Sequence, residues 1–169
     1  RSVVDGSIIA EHYRIQACKR FLDDIESGKW DIRTKDADFV IGIIETTFKH
    51  RQGERLDGTP LRGTPLILEP WQQFIIWNLF GWKRDDGLRR FRTAYIEIAR
   101  KNGKTTMAAG IGLYRLVADG EPGAEIYSAA TKRDQARLSH SEATRMAKAS
   151  PQIRREVRVF KDNIHIPDT

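Results

Sequence analysis

Three features of the 169-residue sequence predict an α/β fold with helices first and a parallel sheet after them. Apolar residues recur at three- and four-residue steps through the first eighty positions. From residue 91 onward, short runs rich in aromatic and β-branched residues alternate with helix-like stretches. Turns containing glycine or proline separate the runs. Strands joined through helices run parallel, because a tight hairpin cannot make that crossover.

Taken in order, Ile8, Ile9, Tyr13, Ile15, Cys18, Phe21, Leu22 and Ile25 form the stripe of an amphipathic helix over 7–27, which Gly28 ends. Asp36 can cap a second helix, in which Phe39, Val40, Ile43, Ile44, Thr47 and Phe48 repeat the spacing up to Lys49 and His50. Residues 51–65 read as a loop. Pro70 stands at a helix-start position, and the third helix runs from there to Gly81. Phe91–Ala99 reads as a strand, and residues 104–118 as a helix whose Gly110 and Gly112 would let it approach a sheet closely. Glu125–Ala130 is a second strand. A capping box of Thr131 and Asp134 would open a long polar helix that Ser150–Pro151 ends, before a strand pair at 156–160 and 163–166.

Composition narrows the classes. Hydrophobic residues at 40% and charged ones at 31% exclude disordered, collagen-like and disulfide-dense chains. Cys18 stands alone, so neither an internal disulfide nor a cysteine zinc cluster is available, and a reducing compartment is expected. No apolar run approaches the roughly 18 residues of a membrane span, and there is no secretory signal pattern. A protein without membrane attachment, inside a cell, is the expectation. Arg1 in place of Met, and an end just after a strand-like stretch, suggest a piece of something longer.

The net charge of +6 is unevenly placed. Residues 1–82 carry 11 basic and 12 acidic side chains, residues 83–104 carry 8 and 3, and residues 132–161 carry 9 and 3. Two basic blocks hold the excess, and such surfaces attract phosphate, free or in a nucleic-acid backbone.

Chemistry concentrates in Ile96-Glu97-Ile98-Ala99-Arg100-Lys101-Asn102-Gly103-Lys104-Thr105, a strand entering a tight basic loop and then a helix. Unpaired N–H groups at a helix start can surround a polyphosphate. Gly103 permits close backbone approach, Lys104 can reach the β- and γ-phosphates, and the Thr105 hydroxyl can bind the bridging Mg²⁺. The usual first glycine, five positions before the second, is Ile98 here. The fold class becomes a P-loop NTPase core with a parallel sheet, preceded by N-terminal helices. Upstream, Gln72 could read adenine through both edges of its amide while Trp71 stacks on the base.

Pro70-Trp71-Gln72, then Ala99-Arg100-Lys101-Asn102-Gly103-Lys104-Thr105, then Tyr127-Ser128-Ala129-Ala130-Thr131-Lys132-Arg133-Asp134-Gln135-Ala136 resembles, in that order, the large subunit of tailed-phage terminase. The resemblance implies an ATP-driven motor that packages double-stranded DNA, with a P-loop ATPase domain and a C-terminal metal-dependent nuclease. By the same resemblance the domain is incomplete, with 1–65 a helical segment and 66–169 the first part of an ATPase core. It implies that Gln72 contacts adenine, that Gly103-Lys104-Thr105 binds phosphate, and that Arg100 steadies charge on the γ-phosphate. The candidate cofactor-binding set is Trp71, Gln72, Lys101, Asn102, Gly103, Lys104, Thr105 and Thr106. Arg100 and Lys104 are the catalytic candidates, and Thr105 is the Mg²⁺ ligand. ATP and Mg²⁺ are the implied cofactors. Double-stranded DNA, the terminase small subunit and the portal or procapsid are the implied partners, with a homo-oligomeric ring during packaging. The implied location is the cytoplasm of an infected bacterium and, transiently, the procapsid portal.

Thr131 and Gln135 fall at the end of the second strand, where open α/β sheets bind ligands. From charge alone, Lys132, Arg133 and Arg137 would face DNA. Neither the acidic pair that would hold Mg²⁺ and orient water nor the nuclease carboxylates can be read between Thr105 and Thr169, so these residues alone would not turn ATP over. Two other readings stay open on the residues: another P-loop ATPase acting on nucleic acid, such as a helicase, and a non-enzymatic basic α/β module in which Gly-Lys-Thr is incidental.

Overall fold

The computed structural model describes residues 1–50, 53–55 and 57–167. Parts of the expected 51–65 loop, Arg51, Gln52 and Leu56, lie outside the described residues, as do Asp168 and Thr169. The chain divides into two compact units, Arg1–Phe39 with Gln73–Tyr95, and Val40–Gln72 with Ile96–Thr169.

The first unit begins with helix α1, His12–Ser27. It starts five residues later than periodicity suggests because the Asp5 carboxylate accepts the Ser7 N–H at 2.9 Å and folds that stretch into a turn. Glu11 takes the cap instead, accepting N–H bonds from Tyr13 and Arg14 at 3.0 and 2.9 Å. Gly28, with φ 60°, closes the helix in the left-handed region. Strands β1, Asp31–Ile32, and β2, Trp82–Lys83, pair antiparallel. Phe21 of α1 meets Phe74 and Trp82 edge-on at ring distances of 5.3 and 5.5 Å.

Helices α2, Thr34–Thr47, and α3, Pro70–Gly81, each belong partly to both units. In the second unit, Val40, Ile44 and Phe48 are buried, as the sequence spacing requires. Helix α4, Lys104–Val117, packs on α5, Arg133–Ala149, and α5 packs on the short α6, Pro151–Glu156. A Cβ on Gly110 of α4 would lie 3.6 Å from the Phe48 ring, and one on Gly112 would lie 3.5 Å from Ile126. Gly112 thus brings α4 against Ile126, and Gly110 faces the end of α2 and Phe48 just beyond it. Strands β3, Arg158–Val159, and β4, Ile164–His165, form the expected final pair, also antiparallel.

The expected parallel sheet is not formed among the described residues. Residues 91–99 and 125–130 pair with no neighbouring strand there, and the pairings that do form are short and antiparallel. Aromatic and β-branched composition gives a segment extended backbone, but only a neighbour taking its N–H and C=O groups makes it a strand. The Thr131–Asp134 capping box is also not formed. Lys132 is the N-cap of α5 without a side-chain bond, and the Thr131 hydroxyl lies 3.5 Å from the Gln135 amide oxygen. Pro151 ends α5 as expected, but it also opens α6, whose cap is the Ser150 hydroxyl.

Candidate nucleotide-binding site

The loop from Ile98 to Lys104 is built from alternating backbone hands. Lys101 has φ 68° and is the non-glycine residue with positive φ among those described; Gly103 follows at φ 69°, ψ 11°. Asn102 between them keeps an ordinary negative φ. Alternation of this kind turns successive N–H groups toward one side and makes an anion-binding concavity. Holding Lys101 left-handed costs about 1–2 kcal/mol, so its surroundings must impose it. The Asn102 amide does part of this, donating to the carbonyls of Ala99 and Arg100 at 3.3 and 3.4 Å.

Gly103 is the N-cap of α4 and provides no side-chain cap bond, so the first-turn amides are not consumed by a cap. Its carbonyl accepts the first helical bond from the Met107 N–H at 2.9 Å. Lys104 reaches back across the loop, its Nζ donating to the Ile98 carbonyl at 3.1 Å. Thr105 and Thr106 are half-buried in the first turn, whereas Arg100, Lys101, Asn102, Gly103 and Lys104 are exposed. Arg100 and Lys101 make no ion pair among the described residues.

Gln72, thirty-one positions before Gly103, arrives at the same place. It is buried, only 8% exposed, and its Nε2 would stand 3.3 Å from a Cβ on Gly103. Its Oε1 accepts the Glu69 N–H at 2.9 Å, and its own N–H donates to the Glu69 carbonyl at 2.8 Å. This is a reciprocal cap at the start of α3, and it directs the amide nitrogen toward the loop. Glu69 and the Ile98 carbonyl escaped the sequence reading. Glu69-x-x-Gln72 ahead of an apolar run was a legible capping pattern for the first, but nothing local signals the second. Trp71, beside Gln72 in the first turn of α3, is 36% exposed. Thr131 and Gln135 bond to each other and bring no group to the loop among the recorded contacts.

Exposed cations, inward-turned amides and a buried glutamine amide define a loop that can hold a phosphate anion beside a hydrogen-bonding group. The class is thus an α/β domain with a basic, glycine-containing loop at a helix start. The chain belongs to the family of the terminase large subunit, ATPase domain, whose family model matches residues 70–168. It is 33% identical over 100 residues to the terminase large subunit of Enterobacteria phage HK97, a match covering 59% of this chain and 19% of that protein. It also resembles the crystal structure of the HK97 bacteriophage large terminase, with TM-score 0.62, 27% identity, and coverage of 76% of this chain and 24% of that one. The chain therefore spans about a fifth to a quarter of the length of these relatives. Membership decides between the readings the residues left open, in favour of the terminase ATPase. Among the described residues no helix is long and apolar enough to cross a membrane.

Proposed function

We propose that this chain is the ATP-binding part of a phage DNA-packaging motor, coupling ATP hydrolysis to movement of double-stranded DNA. The observation that carries the reading is the meeting of Gln72 with Gly103, which sets a base-reading amide against a phosphate-binding turn. Phosphate would enter the concavity of Lys101–Gly103, and the Lys104 ammonium would exchange the neutral Ile98 carbonyl for an anionic oxygen. Charge-assisted bonds of that kind are roughly twice as strong as neutral ones. Arg100, exposed at the mouth, would steady charge on the transferring phosphoryl group. Gln72 must swing its Oε1 off the Glu69 N–H, or use its Nε2 alone, to read adenine; Trp71 would stack beside it.

The residues fit a magnesium nucleotide: the Thr105 hydroxyl sits in the first turn of α4, where it can serve as one oxygen ligand, with waters and phosphate oxygens completing the shell. Bound there, Mg²⁺ would neutralise charge on the β- and γ-phosphates. Residues 66–169 carry this chemistry in our reading, with 1–65 as an N-terminal helical segment. Residues 91–99 and 125–130 would enter a parallel sheet of the longer protein. The acidic residues that orient water, and the nuclease, would lie in other parts of it. These 169 residues alone would then bind ATP without turning it over. The small subunit and portal, ring assembly and a host-cytoplasmic location follow from the family resemblance.

Labelled ATP with Mg²⁺, titrated into the full-length protein, tests the reading. Lys104→Ala is expected to weaken binding about 10- to 100-fold, the value of a charge-assisted contact. Gln72→Ala should erase discrimination between ATP and GTP while leaving phosphate binding in place. Unchanged binding in Lys104→Ala would make the Gly-Lys-Thr incidental.

A further inference from the structure

The second basic block is not uniform. Arg133 and Arg137 of α5, candidates for a DNA face by charge, both turn to Asp162 in the β3–β4 turn, at 3.6 and 2.8 Å. The single Asp162 carboxylate offsets part of their charge within the fold. Five cations further along, Lys148, Arg154, Arg155, Arg158 and Lys161, are exposed and make no ion pair among the described residues. The two acids in the same stretch are Glu156 and Asp162, and Asp162 is already committed.

These cations stand on anchored backbone. Ile153 and Val157, one helical turn apart, are buried at 5% and 3% exposure, so Arg154 and Arg155 project from the remaining sides of α6. In the hairpin, Val159 and Ile164 are half-buried, while the paired Arg158 and His165 share the exposed face. Alternation carries Phe160 to that same face, and it is 58% exposed.

We infer that α6 and the β3–β4 hairpin form a docking strip for the phosphodiester backbone of double-stranded DNA. An acidic protein partner would be met by an apolar centre with charges at its rim. Here the large exposed apolar side chains are Phe160 and Ile166, set among arginines whose planar guanidinium groups match phosphate geometry. A surface that is polar, strongly positive and poor in apolar area is what a nucleic-acid interface requires. This inference rests on the DNA-motor reading above and names the surface that reading leaves open.

The test is binding of a labelled duplex of random sequence to the full-length protein across a salt series, with ATP binding measured in parallel. Arg154→Ser/Arg155→Ser/Arg158→Ser is expected to weaken binding at least about tenfold at low salt and to flatten the log–log salt slope by about 2 to 3. Arg133→Ser/Arg137→Ser should flatten it by less than about 1, because those side chains already face Asp162. All substituted positions lie on the surface, and unchanged melting temperatures would show that folding is intact. An unaltered slope in the triple variant, or a slope carried by Arg133 and Arg137, overturns the inference, and the strip would then face an acidic protein. Loss of ATP binding by Lys104→Ala bears only on the nucleotide reading, so the two can fail separately.

Discussion

Arg90 and Lys104 belong to one basic stretch of sequence, yet the fold uses them in opposite ways. Arg90 lies 4.2 Å over the Trp30 ring and 4.8 Å over Phe91, and its Nη1 is 2.7 Å from the Asp24 carboxylate. Arg20 joins the same carboxylate at 2.9 Å and covers the other aromatic partner, Phe91, at 4.8 Å. Lys83 pairs with Asp36, and Arg89 covers Phe80. Past residue 99 the pattern reverses. Among the described residues Arg100 and Lys101 have no counter-ion, and Lys104 rests on a neutral carbonyl. A cation enclosed by rings and a carboxylate contributes to stability; one left in a turn of inward-facing amides is available to a ligand. Net charge therefore says little about binding until the internally paired residues are subtracted.

Arg90→Met gives the largest expected effect. It leaves Asp24, whose side chain is only 13% exposed, with Arg20 alone and uncovers the Trp30 and Phe91 rings, and should destabilise the first unit by about 2 kcal/mol. Thermal melting measures this, and ATP binding by the folded protein should not change. A loss below about 1 kcal/mol would place the pair among ordinary surface ion pairs and erase the contrast. Gly103→Ala comes next. An alanine there must adopt a left-handed backbone, at about 1–2 kcal/mol, and set its methyl 3.3 Å from the Gln72 amide. ATP affinity should fall about tenfold and the melting temperature by a few degrees; full retention of both would mean the loop is shaped by something else.

The smallest effect concerns Asp162, whose pKa is lowered by its hydrogen bond from Arg137 and then by the charges of Arg137, Arg133 and Lys161. A carboxyl with a depressed folded-state pKa adds stability above its unfolded value and loses it as pH falls through the lowered one. Melting temperatures of the native protein and Asp162→Asn should differ slightly at neutral pH and converge below the usual carboxylate range. A difference that persists in strong acid would remove the ion pair as its source.

Much of this was legible in the residues. Periodicity located α1 to α4, whose apolar side chains recur at helical spacing, start and stop signals located the polar α5, and Pro70, Gly28 and Gly81 mark ends in the expected way. The six-residue α6 escaped because Pro151, read as a terminator, also suits the first position of the next helix. Ladders as short as β1–β2 carry no readable alternation. Residues 91–99 and 125–130 have the composition of strands, but pairing is non-local and propensity cannot supply a neighbour. The site divides in the same way. Gly103-Lys104-Thr105 and Gln72 each stand out in sequence, whereas their contact, the Lys104–Ile98 bond and the capture of Arg133 and Arg137 by Asp162 exist only once the chain has folded.

The Lys104 tether has a kinetic corollary. Lysine carries about 2 kcal/mol of rotamer freedom, and much of it is already surrendered while the ammonium leans on Ile98. An arriving polyphosphate then meets a receptor arranged in advance and needs only a short swap of acceptors. Capture should proceed at a rate governed by diffusion and long-range attraction, with rearrangement of the turn adding little delay.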